Sequence, residues 1–126
     1  MSTTTFYSPI DGEIDITAEQ AEHLAELAAA LREHADEQIG GQLFQGPDRC
    51  CALGAAVRYT DLPLTESEVD DGGLSRQQDD VFREYFGFMS EGLVNLNDSW
   101  YQGQIAHSFT EIADMLDERS LDGRNE

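Results

Sequence analysis

Lysine is absent from this chain and arginine is scarce: seven basic residues stand against 26 Asp and Glu, giving a formal net charge of -19 over 126 residues. Nucleic acid and anionic membranes are bound by clustered cations that displace counterions, so direct binding to either is excluded as an expectation. Cysteine is confined to the adjacent pair Cys50 and Cys51, which rules out a disulfide framework and makes reduced thiols the default. No stretch approaches the ~20 apolar residues that span a bilayer. Met1 to Ile10 has neither a basic start nor an apolar stretch, so a cytoplasmic location is expected. Catalytic motifs are missing as well: there is no Gly-rich phosphate loop, Gly-x-Ser-x-Gly elbow, His-Glu-x-x-His or Ca loop. The expectation is a protein that is not an enzyme and carries no cofactor and no metal.

What remains is enough for a fold. Hydrophobic residues make up 40% of the chain, with six Phe, four Tyr and one Trp, too apolar a composition for disorder throughout. A chain of this size buries about two-thirds of its unfolded surface around one core. The natural complement of the surplus charge is a basic partner. A plainer account is solubility in a high-salt cytoplasm or the composition of a GC-rich genome.

Met1 to Asp15 is polar, with turn signals at Ser8-Pro9 and Asp11-Gly12, and reads as a flexible arm or a short strand at most. Thr17 and Gln20 form a capping box for a helix whose apolar positions are Leu24, Leu27, Ala28, Leu31 and Ala35, closing near Gln38 before Gly40-Gly41. Gln42 to Arg49 looks extended, with a small strand pair possible near residues 42–50. Cys50 to Tyr59 is a compact Ala-rich helical stretch with Leu53, Ala56 and Val57 on one face. Asp61 to Ser75 reads as a mobile acidic loop. Ser75 with Gln78 opens a helix bearing Val81, Phe82, Tyr85 and Phe86. A connection through Met89, Leu93, Val94 and Leu96 leads to Asn97-Asp98-Ser99, and Ser108 with Glu111 opens the last helix. The expected fold is one domain over 1–126, all-α or α-dominated, with three to four helices around one core. Ordered structure is expected over about 16–119, and a frayed tail from 120 to 126.

Three segments fall in order: Cys50-Cys51-Ala52-Leu53-Gly54, Leu96-Asn97-Asp98-Ser99, and Ser108-Phe109-Thr110-Glu111-Ile112-Ala113-Asp114. Together they resemble a group of small uncharacterised proteins of actinobacteria and their phages, over about Gln42 to Glu118. The resemblance implies a phage or mobile-element setting and carries no activity with it. The acidic segment Glu66 to Asp71 looks particular to this chain.

Candidate sites follow from chemistry and spacing. Cys50 and Cys51 lack the Cys-x-x-Cys spacing of a metal site, and His23, His34 and His107 are not spaced as further ligands, so buried structural thiols are expected. His23 and His34 are placed on the exposed side of the first helix. Asn97, Asp98 and Ser99 suit a turn better than a ligand-binding trio, although Trp100 and Tyr101 beside them leave the second open. Phe82, Tyr85, Phe86 and Met89 read as core.

At about 100° per residue, Glu19, Glu22, Glu26, Glu33 and Glu37 fall within roughly 60°, opposite the leucines. They make an acidic stripe, either a solvated face or a partner-binding rail. With Glu66, Glu68, Asp70 and Asp71 of the loop they are the candidate partner-binding residues. The functional expectation is an acidic binding protein that occupies a basic, normally nucleic-acid-binding surface of a host or defence protein, as an inhibitor or nucleic-acid mimic. A nuclease, a transcription factor or a CRISPR effector would be such a target. Homodimerisation stays open, and the alternatives are a housekeeping protein whose acidity serves solubility or, less favoured, a small enzyme around Asn97, Asp98 and His107.

Overall fold

The computed structural model describes residues 3–8, 11–40, 42–69, 73–98, 105–119 and 121. The chain runs through strands β1 (Thr3–Ser8) and β2 (Gly12–Thr17) and helices α1 (Ala18–Glu33), α2 (Ala52–Tyr59), α3 (Arg76–Phe86), α4 (Glu91–Asn97) and α5 (Phe109–Asp117). Short 3₁₀ turns lie at Ala35–Glu37 and Glu66–Glu68. The fold is therefore helix-dominated, as expected, and the described residues hold one small strand pair, at the N-terminal end and not near 42–50, and five α-helices. Helix α1 lies at the centre and packs on α2, α3, α5 and the hairpin. Its buried residues Leu24, Leu27, Ala28, Ala30 and Leu31 meet an aromatic layer of Phe82, Phe86, Phe88 and Phe109, all fully buried.

The three expected capping boxes are all formed, at Thr17 with Gln20, Ser75 with Gln78 and Ser108 with Glu111. Each supplies two of the N–H acceptors that a helix start lacks. Gly87 takes the left-handed conformation after α3, at φ 97°. A side chain there would also meet Ile16 Cγ2 at 2.7 Å.

Of the arm or short strand expected for the N-terminal segment, the structure shows strands. β1 and β2 pair antiparallel from Thr3 opposite Thr17 to Ser8 opposite Gly12. Phe6 and Ile16 are fully buried, and Phe6 stacks on Phe88 at 4.9 Å between ring centroids. Burial of two large side chains on one face is what holds so short a hairpin, which alone in water is marginal.

One residue of the expected tail, Leu121, meets the hairpin in the same region. Tyr7 N–H donates to the Arg119 carbonyl at 2.9 Å, and Leu121 N–H donates to the Tyr7 carbonyl at 2.8 Å. Leu121 is buried, so the chain meets β1 at that residue. Residues 120 and 122–126 lie outside the described ones.

The strand pair expected near residues 42–50 is not a pair of strands. Cys50 makes isolated bridges to Phe44 and to Gln38, because the segment folds back as a turn and presents one residue to both sides. The same contact engages the chain just beyond α1. Cys50 N–H donates to the Glu37 carbonyl and Ile39 N–H to the Cys50 carbonyl, both at 3.0 Å. Backbone groups committed to Cys50 cannot continue a helical ladder beyond Glu37; α1 itself ends at Glu33 and passes into the 3₁₀ turn Ala35–Glu37, and does not run on to Gln38. The connection expected after α3 contains the further helix α4. Its Gly92 is buried, and a side chain there would sit 3.4 Å from both the Phe88 ring and Ser8 Oγ.

Candidate functional site

The stripe of glutamates is divided by its neighbours. Glu26 accepts the Tyr85 hydroxyl at 2.8 Å and the Asp61 N–H at 2.9 Å. Glu37 lies in the 3₁₀ turn beyond α1, where it accepts the Tyr59 hydroxyl and meets His34 Nδ1 at 2.7 Å. Glu19, Glu22 and Glu33 are exposed; Glu19 lies 4.0 Å from His23 Nε2. The face that α1 turns to solvent thus carries these three carboxylates with Asp36 beyond them, interrupted by Ala25 and Ala29.

The loop carboxylates are similarly engaged. Glu66 is held by Arg58, whose Nη2 donates to Oε2 at 3.1 Å, and Arg58 also lies over the Phe44 ring at 4.7 Å. Glu68 accepts the Thr65 N–H at 2.9 Å, closing a capping box. The Arg58 guanidinium holds the Glu66 carboxyl below its usual range, and Thr65 does the same for Glu68. Asp70 and Asp71 lie outside the described residues.

The histidines expected on the exposed side of α1 are half-buried instead. His23 stacks on Tyr85 and His34 on Tyr59, each at 3.6 Å between centroids and nearly parallel. A tyrosine from α3 and one from α2 therefore cover a histidine of the central helix or its end, and each donates its hydroxyl to the glutamate three residues further on. His and Glu at i and i+3 lie on one helical face, which is why one ring reaches both. Bonding by Tyr59, then by His34, lowers the Glu37 pKa against the cost of desolvation. Burial, reinforced by Glu37, pushes the Tyr59 hydroxyl up to about 12.

Close packing accounts for Cys50 to Gly54 and for Asn97. Cys50 and Cys51 are buried and unpaired, with Cys51 capping α2 by accepting the Gly54 N–H at 3.4 Å. Burial pushes their thiols up to about 12 and about 11, the opposite of an activated thiolate. A side chain on Gly54 would meet the Leu43 carbonyl oxygen at 2.2 Å, so the 42–50 turn rests directly on the α2 backbone.

Asn97 is fully buried. Its Oδ1 accepts from Ala52 N at 3.0 Å and from Gln38 Nε2 at 2.9 Å, while Nδ2 donates to the Ile39 carbonyl at 2.8 Å and to Asp98 Oδ1 at 2.7 Å. Gln38 continues the network to the His107 carbonyl and to the Phe109 N–H at the start of α5. Asn97 is consumed by the fold, and Ser99, Trp100 and Tyr101 lie outside the described residues. His107 contributes backbone bonds here.

Among the described residues no group of three or more His, Cys, Asp or Glu is placed to hold a metal ion. An open cleft of about 470 Å³ lies between the start of α3 and α4, lined by Leu74, Arg76, Asp79, Met89, Glu91 and Val94 among others. Asp79 is occupied there by the Ser90 N–H at 3.0 Å. Comparison with known proteins adds nothing to this geometry. No family model, curated protein or solved structure matches the chain. Among the described residues no helix is long and apolar enough to cross a membrane. The exposed carboxylates of α1 are Glu19, Glu22 and Glu33.

Proposed function

We propose that this chain is a small acidic binding protein, phage-encoded in keeping with its resemblance, that occupies a basic, normally nucleic-acid-binding surface of a host or defence protein. The observation that carries the reading is the exposed set Glu19, Glu22 and Glu33 on one side of α1. Glu19 to Glu33 extends over about 21 Å of helix at 1.5 Å per residue. Two of the few cations are spent internally, Arg32 on Asp114 and Asp117 at 2.8 and 2.6 Å and Arg58 on Glu66. The field at the surface is left negative, which steers a basic partner and opposes its departure.

A second reading is favoured by a different observation. Glu26, Glu37, Glu66 and Glu68 all serve internal bonds, so the rail is sparser than the sequence alone suggests. On that reading the acidity serves solubility and no partner is bound.

The test is capture of a partner from host lysate, followed by association rates at 0.01 M and 0.15 M salt, where the Debye length falls from about 30 to about 8 Å. Glu22→Arg with Glu33→Arg changes two exposed positions without disturbing the core and should slow association strongly. Association that ignores both salt and the double reversal would remove the proposal, as would tight DNA binding by the protein itself.

A further inference from the structure

Among the described residues the hairpin has one edge in use and one open, and the bonds around Tyr7 reveal which groups face outward. Tyr7 spends its N–H on Arg119 and its carbonyl on Leu121, so both point away from β2. In an antiparallel ladder, opposed residues alternate between exchanging both backbone bonds and exchanging neither. Tyr7 stands opposite Glu13, and that pair exchanges neither. Thr5 with Asp15 and Thr3 with Thr17 follow two residues apart. Thr17 fixes the same phase independently, because its N–H is given to Gln20 Oε1 at 2.9 Å. The N–H and carbonyl groups of Glu13 and Asp15 therefore project from the outer edge of β2, and no described group meets them.

The side chains along this edge specify what would pair with it. Glu13 and Asp15 are exposed on the solvent face. Ile14 and Ile16 point to the core face; Ile16 is fully buried, whereas Ile14 is only half-buried. We propose that the outer edge of β2 takes an extended peptide segment of alternating basic and apolar residues as an added strand. Backbone groups of Glu13 and Asp15 supply the ladder, their carboxylates pair with basic side chains directly opposite, and the intervening apolar side chain completes the layer beside Ile14. A second copy of this chain is disfavoured as the occupant. It would set Glu13 and Asp15 against carboxylates of the same sign, which is how exposed edges are kept from pairing with themselves. The inference rests on the reading of a basic partner and adds the route by which it docks.

The test uses isotope-labelled full-length protein and two end-blocked peptides of equal charge, Arg-Val-Arg-Val-Arg and Arg-Arg-Arg-Val-Val. The alternating peptide should shift the amide signals of Glu13 and Asp15, slow their hydrogen exchange, and bind about tenfold or more tightly than the other, the effect of about 1.4 kcal/mol of matched pairing. Asp15→Pro removes an N–H that lies outside the β1–β2 ladder, and proline is tolerated at such an edge. It should abolish the preference between the peptides, while Asp15→Asn, which keeps the N–H, should retain it in weakened form. Should Asp15→Pro fail to fold, Glu13→Arg with Asp15→Arg gives the same answer by losing binding to both peptides. Equal binding of the two peptides, or shifts centred on α1 and not on β2, overturns the proposal. If Glu22→Arg with Glu33→Arg abolishes capture of the partner while Asp15→Pro does not, the strand edge is refuted and the acidic binding reading survives. Unaltered capture by both variants at every salt concentration refutes both.

Discussion

Asn97 Oδ1 receives the Ala52 N–H at 3.0 Å across 45 residues of sequence, so the end of α4 caps the start of α2. The same amide reaches Ile39 and Gln38. Asn97→Ala strands these partners in a dry site, and a buried unsatisfied group costs about 1–3 kcal/mol. The variant should lose about 3 kcal/mol, read as a lower urea midpoint with an unchanged slope. A midpoint equal to that of the unaltered protein would show that water replaces the side chain.

Gly54 faces the Leu43 carbonyl so closely that even a methyl group overlaps it, at 2.2 Å. The obstacle is backbone, which cannot rotate aside. Gly54→Ala should therefore destabilise by about 1–3 kcal/mol or more, despite alanine's better helix propensity of about 1 kcal/mol. Thermal melting decides the sign: a raised melting temperature would mean that the 42–50 turn moves freely off α2.

Cys50 and Cys51 should behave as small hydrophobes. Replacing either with Ala should cost about 1–3 kcal/mol and leave partner binding intact. Labelling of the native protein by a thiol reagent should be slow and should track unfolding, since both thiols are buried and their pKa values are raised. Fast labelling at neutral pH, or one equivalent of bound zinc, would contradict this.

The Tyr59 and Glu37 pair links stability to pH at two ends. Glu37 is held below its ordinary value of 4.5 in the fold, so its contribution is present above about pH 4.5 and is lost as pH falls through the folded value. Tyr59 is raised from 10 to about 12, so its contribution is present below about pH 10 and is lost as pH rises towards 12. Tyr59→Phe should flatten both limbs of the stability profile measured by chemical denaturation. A profile parallel to that of the unaltered protein would show that the pair adds nothing to either limb.

Helix starts were legible because their signals are local. In each of Thr17, Ser75 and Ser108 the hydroxyl meets the backbone only three residues on, so the motif and its structure are nearly the same statement. The same motif at Thr65 with Glu68 was present in the sequence and was obscured by the acidic residues around it. Helix α4 was hidden for another reason, as seven residues are too few to establish a period, and Gly92 argues locally against a helix. The hairpin depended on Phe6 finding Phe88 and on Leu121 returning to Tyr7, pairings that no local pattern encodes.

The amino-acid sequence alone determined the charge, the absence of disulfide and membrane-spanning patterns, the helical period and the arc on which the glutamates of α1 fall, since each depends only on composition or on spacing within one element. Tertiary structure decided which of those carboxylates remain available. Tyr85 reaches Glu26 across 59 residues and Tyr59 reaches Glu37 across 22, and an acceptor position is filled only when a donor from another helix arrives at hydrogen-bonding distance. Period places a side chain on a face of its own helix; packing determines whether that face meets water or a tyrosine.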